Sequence, residues 1–210
     1  MDGTEVELVD VREVGPDTVA LRVASPPGFD ARPGQFVQVR ATVDGETVTR
    51  HYSVSSPEVG ETFELTVGID PDGTLTPWLA GAEPGDTVEV DGPFGRVYYE
   101  DEDGVVVLAA GPGIGAAVGI AEASLARGGD AAIVYLTENL VHEDRLARLA
   151  AAGAPVYVVA DADAFEAAVA EVVGRGTVFV YGFAPFVETT ETALRAAGSD
   201  PAAAKVENFG

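Results

Sequence analysis

Apolar and polar residues alternate through the first half of the chain, interrupted at short intervals by Gly, Pro and Asp. A period of two marks half-buried strands, and it predicts six of them, over residues 5–14, 18–24, 35–43, 47–55, 62–69 and 87–91. The turns between them include Gly15-Pro16-Asp17, Pro26-Pro27-Gly28, Asp44-Gly45 and Pro84-Gly85-Asp86. One short helical piece is expected over residues 76–80, with Thr76 as its N-cap and Pro77 in the first helical position. The texture changes near Asp101-Glu102-Asp103-Gly104. Beyond it, continuous apolar runs over 104–109, 131–136, 155–160 and 178–181 alternate with helical stretches over 116–127, 143–152, 164–173 and 185–197. A last strand over 203–206 closes the series. Strands of the first kind suit an antiparallel β-barrel, and those of the second a doubly wound parallel sheet with both faces covered. The expected architecture is therefore a barrel domain over residues 1–100 followed by an α/β domain over 104–210.

Composition narrows the chemistry. The chain has 210 residues, 47% of them hydrophobic, which is enough for a packed core despite a formal net charge of −23. Such an acidic chain lacks the basic footprint that nucleic acid or an anionic membrane surface requires. No apolar run approaches the ~18–20 residues of a membrane span. The first residues, Met1-Asp2-Gly3-Thr4, carry no basic and apolar leader pattern, so a cytoplasmic protein is expected. The absence of cysteine removes disulfides, thiolate metal sites and cysteine nucleophiles, and His51 and His142 are too few for a multi-histidine centre. No metal site is expected. Lys205 is the single lysine against 11 arginines, and the 35 acids are spread along the whole chain. That combination suits a protein adapted to high salt, which screens the repulsion among the acids.

The most informative segment is Arg50-His51-Tyr52-Ser53 at the end of a strand. Arg50 and Tyr52 share a strand face, where a guanidinium can clamp phosphate beside an aromatic platform. Ser53 points the other way unless the strand bends. Gly73-Thr74-Leu75-Thr76 follows at a helix start, whose free N–H groups attract phosphate. Taken with Pro33-Gly34-Gln35-Phe36 and Gly92-Pro93-Phe94-Gly95, these motifs resemble the ferredoxin–NADP reductase-like flavoproteins. The resemblance implies a flavin-binding barrel in which Arg50, Gly73 and Thr76 hold the diphosphate of FAD. Tyr52 would stack on the isoalloxazine and Ser53 would hydrogen-bond near its N5.

In the second half, Gly111-Pro112-Gly113-Ile114-Gly115-Ala116 links a buried strand to a helix, where a pyridine nucleotide's diphosphate sits in this fold. Gly111 and Gly113 would allow close approach. Relatives commonly carry Gly, Thr and Pro where this chain has Ala110, Pro112 and Ala116, and Cys-Gly-Pro where it has Tyr181-Gly182-Phe183. The resemblance puts bulky Tyr181 at the nicotinamide end. The tail Glu207-Asn208-Phe209-Gly210 is similar to the family's ending, which implies an acid, Glu207, near the flavin edge and an aromatic, Phe209, covering the ring. The activity implied is hydride transfer from NADH or NADPH to FAD, with electrons passed to an acceptor that includes redox proteins. An electron-transfer subunit of a larger complex and a non-catalytic flavin or nucleotide sensor are the alternatives. No cation precedes Arg145 after the second α/β strand, and Glu138 stands there instead, so NADH is expected over NADPH unless Arg145 or Arg148 reaches back.

Overall fold

The computed structural model describes residues 3–210, which build two sheets. The first contains β1 (Thr4–Gly15), β2 (Thr18–Ala24), β3 (Phe36–Val43), β4 (Glu46–Ser53), β5 (Thr62–Gly68) and β6 (Thr87–Phe94). Its order is β4-β3-β6-β1-β2-β5, antiparallel throughout. A bridge between Val54 and Leu65 joins the two edges and closes the barrel. The alternating positions fill its interior: Leu21 and Val23 from β2, Val37 and Val39 from β3, Phe63 and Leu65 from β5, Val88 and Val90 from β6. Helix α1 (Leu75–Ala80) adds Leu75 and Leu79 to the same core. Each such side chain contributes about 1.5–3 kcal/mol on leaving water.

The second sheet is parallel, in the order β11-β10-β7-β8-β9. Its strands are β7 (Gly104–Ala110), β8 (Asp130–Leu136), β9 (Val156–Val159), β10 (Thr177–Gly182) and β11 (Lys205–Asn208). Helices α2 (Ile114–Ala126), α3 (Glu143–Ala151), α4 (Ala162–Val172) and α5 (Ala184–Ala196) cover it. In β7, Val105, Val107 and Ala109 face the core shared with α2 and α3, while Val106 and Leu108 face the one shared with α4 and α5. Burial on both sides is why this segment reads as a continuous apolar run.

Two local expectations need correction. β6 continues past the expected end at residue 91 to Phe94, which pairs with Phe36, so Gly92-Pro93-Phe94 belongs to the strand. Helix α1 begins at Leu75 with Thr74 in the cap position, so Thr76 is not the N-cap and Pro77 is not the first helical residue. The Thr76 hydroxyl instead holds the preceding turn, accepting from the Asp70 N–H at 2.9 Å and donating to the Asp70 carbonyl at 3.2 Å. Local side-chain-to-backbone bonds of this kind compete directly with capping.

The two halves are packed tightly against each other. A Cβ on Gly115 would lie 2.7 Å from the Thr66 side chain, and one on Gly119 would lie 2.8 Å from the Ser55 carbonyl. Only glycine lets α2 lie this close to the barrel. The Val14 carbonyl accepts the His142 N–H at 2.8 Å, tying the loop before α3 to β1. Lys205 on β11 pairs with Glu100 and Glu102 in the connecting segment.

Candidate functional site

The barrel and the parallel sheet enclose a cleft of about 440 Å³ bordered by Arg50, Tyr52, Ser53, Pro112, Phe183, Glu207 and Phe209, together with Phe36, His51 and Thr66. A second lobe of about 390 Å³ shares His51, Tyr52, Thr66 and Pro112 and extends past Gly111 to Thr137 and Asn139. β4 supplies Arg50, Tyr52 and Ser53, and all three border the first lobe, so Ser53, its last residue, is not turned away. From the other half, β11 delivers Glu207 and leads into Phe209. The Phe209 N–H donates to the Gly182 carbonyl at 3.0 Å, and its ring meets Phe183 edge-on at 5.6 Å.

Several features of the first lobe call for a ligand. The Tyr52 hydroxyl is buried and has no hydrogen-bond partner among the described residues. Burial pushes its pKa up to about 12 against the opposing effect of Arg50, so the phenol stays protonated and keeps its donor. Arg50 is exposed, and among the described residues its guanidinium bonds only the neighbouring Thr49 carbonyl, at 2.9 Å, which leaves most of its donors free. Burial also raises the Glu207 pKa above the ordinary carboxylate range. An aromatic platform, an unmet phenol donor and a free guanidinium together match a planar ring system carrying a diphosphate.

The remaining sequence-derived candidates are distributed unevenly. Gly111 borders the second lobe at φ +53°, with open space beside its Cα. Gly113 is buried, and a Cβ there would overlap the Tyr181 carbonyl, so its missing side chain serves helix-to-sheet packing. Gly73 and Thr76 border neither lobe. Tyr181, expected at the nicotinamide end, does not border the cleft either. It is fully buried and donates to the Val97 carbonyl at 2.8 Å, close beneath Gly34. Glu138 is exposed beside the second lobe, while its neighbours Thr137 and Asn139 border it.

Arg145 is also corrected. Its side chain is 7% exposed, turns toward the barrel and does not border the second lobe. Its Nη1 donates to Glu64 at 2.8 Å, and its Nη2 donates to the Ser55 carbonyl at 2.6 Å and to Glu122 at 2.7 Å. Arg148 borders a separate cavity with Arg12 and Arg22. Among the described residues, no Arg or Lys borders the second lobe. Sequence reasoning missed Phe36, Thr66 and Phe183 as cleft residues. The signal for Thr66 was present, since the β5 alternation that buries Phe63, Leu65 and Val67 sends Thr66 out of the barrel. Among the described residues no three metal-ligating side chains cluster, and no helix is long and apolar enough to cross a membrane.

Residues 5–99 match the family described as an oxidoreductase FAD-binding domain. The glycine betaine monooxygenase reductase subunit of Chromohalobacter salexigens is 37% identical over 112 residues, covering 51% of this chain and 29% of the relative. The ferredoxin reductase component of 3-ketosteroid-9-alpha-monooxygenase from Mycolicibacterium smegmatis is 30% identical over 230 aligned positions, covering 98% of this chain and 65% of the relative. The chain thus spans less than two thirds of the length of either. Among solved structures, an Amycolatopsis cytochrome P450 reductase superposes with a TM-score of 0.80 at 26% identity, covering all of this chain and 70% of the other.

Proposed function

Because this chain belongs to the ferredoxin–NADP reductase-like family of oxidoreductases, we propose that it binds FAD in the cleft and reduces it with NADH. The observation that carries this reading is the buried, unpartnered Tyr52 hydroxyl beside the free Arg50 guanidinium. Arg50 would clamp the flavin diphosphate, Tyr52 would stack on the ring, and Ser53 would donate a hydrogen bond near N5. Gly73 and Thr76 stand outside both lobes, the Gly73 N–H already donates to the Asp70 carbonyl at 3.0 Å and the Thr76 hydroxyl is engaged, so we assign to phosphate only the Thr76 backbone N–H in the first turn of α1. Bound FAD supplies the hydride-accepting and electron-passing chemistry. The chain's own contribution is placement: Gly111 would let a nucleotide diphosphate approach the backbone, and Phe209 would shield the flavin ring at the cleft's edge. Glu207, half-buried with a raised pKa, can hold a proton at the cleft's edge.

The second lobe supports NADH over NADPH. A 2′-phosphate needs a nearby cation, and none borders that lobe, because Arg145 is committed to Glu64 and Glu122. The two sequence relatives are a reductase subunit and a ferredoxin reductase component of monooxygenases. We therefore take the electron acceptor to be the redox protein of an oxygenase system, in the cytoplasm where NADH is available. The nine ion pairs among the described residues engage eight of the 35 acids, which supports adaptation to concentrated salt. The test is kcat/KM for NADH and NADPH with ferricyanide as acceptor in one salt concentration. A clear advantage for NADH is expected, and an advantage for NADPH would overturn the nucleotide assignment.

A further inference from the structure

Thr66 is a barrel residue held in place by the other half of the molecule. It follows Leu65, whose bridge to Val54 closes the barrel, so Thr66 and Ser53 occupy the next register position across that closure. Its side chain borders both lobes of the cleft. Gly115 of α2 lies against it so closely that a Cβ there would come within 2.7 Å of its Oγ1. His142, at the end of the loop that carries Thr137 and Asn139, places Nε2 2.8 Å from the same Oγ1. His142 is itself 2% exposed and adopts a left-handed backbone, φ 58° and ψ 37°.

The orientation of this bond follows from the other imidazole nitrogen. Nδ1 of His142 is buried and has no partner among the described residues. If Nδ1 carried the proton, a buried N–H would be left unmet, which is the costlier of the two arrangements. The proton therefore sits on Nε2 and is donated to Thr66. Burial, with Arg145 and Arg12 nearby, lowers the His142 pKa to about 3, so the ring is neutral and only one nitrogen is protonated. Once Thr66 Oγ1 accepts from His142, its own hydrogen is free, and no protein acceptor takes it among the described residues.

We propose that Thr66 is a second hydroxyl donor to the bound flavin, beside Ser53, and that His142 is the positioning residue that aims it into the cleft. This inference rests on the FAD reading above. It also gives the loop bearing Thr137 and Asn139 a direct mechanical link to the flavin side of the cleft. A nucleotide seated against that loop bears on the Thr66 hydroxyl through one side chain.

Two measurements test it. In apoprotein, ¹⁵N NMR of the His142 ring should show the Nε2–H tautomer, and an Nδ1–H tautomer would overturn the proposal without reference to any cofactor. In loaded protein, Thr66→Val should weaken FAD binding roughly tenfold, the size of one lost hydrogen bond, and shift the flavin absorbance spectrum and midpoint potential. Thr66→Ser should restore all three. His142→Gln, which keeps a donor near the Nε2 position, should retain the wild-type spectrum, whereas His142→Leu should shift it as Thr66→Val does. FAD uptake with a Thr66→Val spectrum and potential identical to wild type would overturn this inference alone. Wild-type protein that takes up no FAD would overturn it together with the proposed function.

Discussion

Arg145→Ala removes the one cation among the described residues that joins α3, α2 and the barrel. In the folded protein its guanidinium meets Glu64 at 2.8 Å, Glu122 at 2.7 Å and the Ser55 carbonyl at 2.6 Å. Breaking a buried ion pair by deleting one partner costs about 3–5 kcal/mol, because the surviving charge stays buried and unpaired. The Glu64 and Glu122 side chains are each 23% exposed, so water can reach part of each carboxylate, and the lower end, about 3 kcal/mol, is the better figure. Arg12, 49% exposed and 3.6 Å from Glu64, offers little compensation. For a chain of this size about 3 kcal/mol corresponds to a fall of roughly 6–12 °C in Tm. The assay is thermal unfolding of apoprotein in dilute and in molar salt. Since the contact is largely withdrawn from solvent, the deficit should persist in both. The triple variant Arg145→Met, Glu64→Gln, Glu122→Gln should recover most of it, because no unpaired charge remains. A loss below about 1 kcal/mol, or one that vanishes in molar salt, would refute the claim that Arg145 is a structural tie between the two halves.

Arg50→Ala should lower FAD affinity by about 1.5–3 kcal/mol, the usual size of hydrogen bonds to a charged group; unchanged flavin retention on dialysis would show that Arg50 is not the clamp. His142 titrates at about 3 in the folded chain against an ordinary 6.5, so below 6.5 the unfolded chain takes up a proton that the folded chain refuses. Stability should accordingly fall as pH drops from about 6.5 toward 3, and His142→Gln should flatten that slope in Tm measured against pH. A slope equal to wild type would contradict the buried neutral ring. Raising salt from dilute to molar should raise the Tm of the wild-type protein, as expected from unscreened repulsion at a net charge of −23, and a salt-independent Tm would remove the high-salt reading.

The strands and helices were legible because each satisfies its own local rule. The alternation of β2, β3 and β5 and the doubly buried run of β7 report directly which faces meet a core. Arg50, Tyr52 and Ser53 were legible as a group because they are consecutive on one strand that ends at the cleft. What was not legible depends on contacts between distant segments. Arg145 read as a free cation because its partners Glu64, Glu122 and Ser55 lie on elements far away in sequence. Tyr181 read as a cleft residue because its position in the motif says nothing of the Val97 carbonyl, which accepts its hydroxyl, or of Gly34, which packs against it. Thr76 read as the N-cap for want of a local contact, its hydroxyl's bond to Asp70, while the helix starts at Leu75.

The central claim is that this cleft holds FAD where NADH can reduce it. Anaerobic titration of the FAD-loaded protein with NADH and, separately, with NADPH, followed through the flavin absorbance, tests it most directly. Complete bleaching is expected at one equivalent of NADH per flavin, with NADPH reacting far more slowly at the same salt concentration. Flavin that binds but keeps its oxidised spectrum under excess NADH would contradict it.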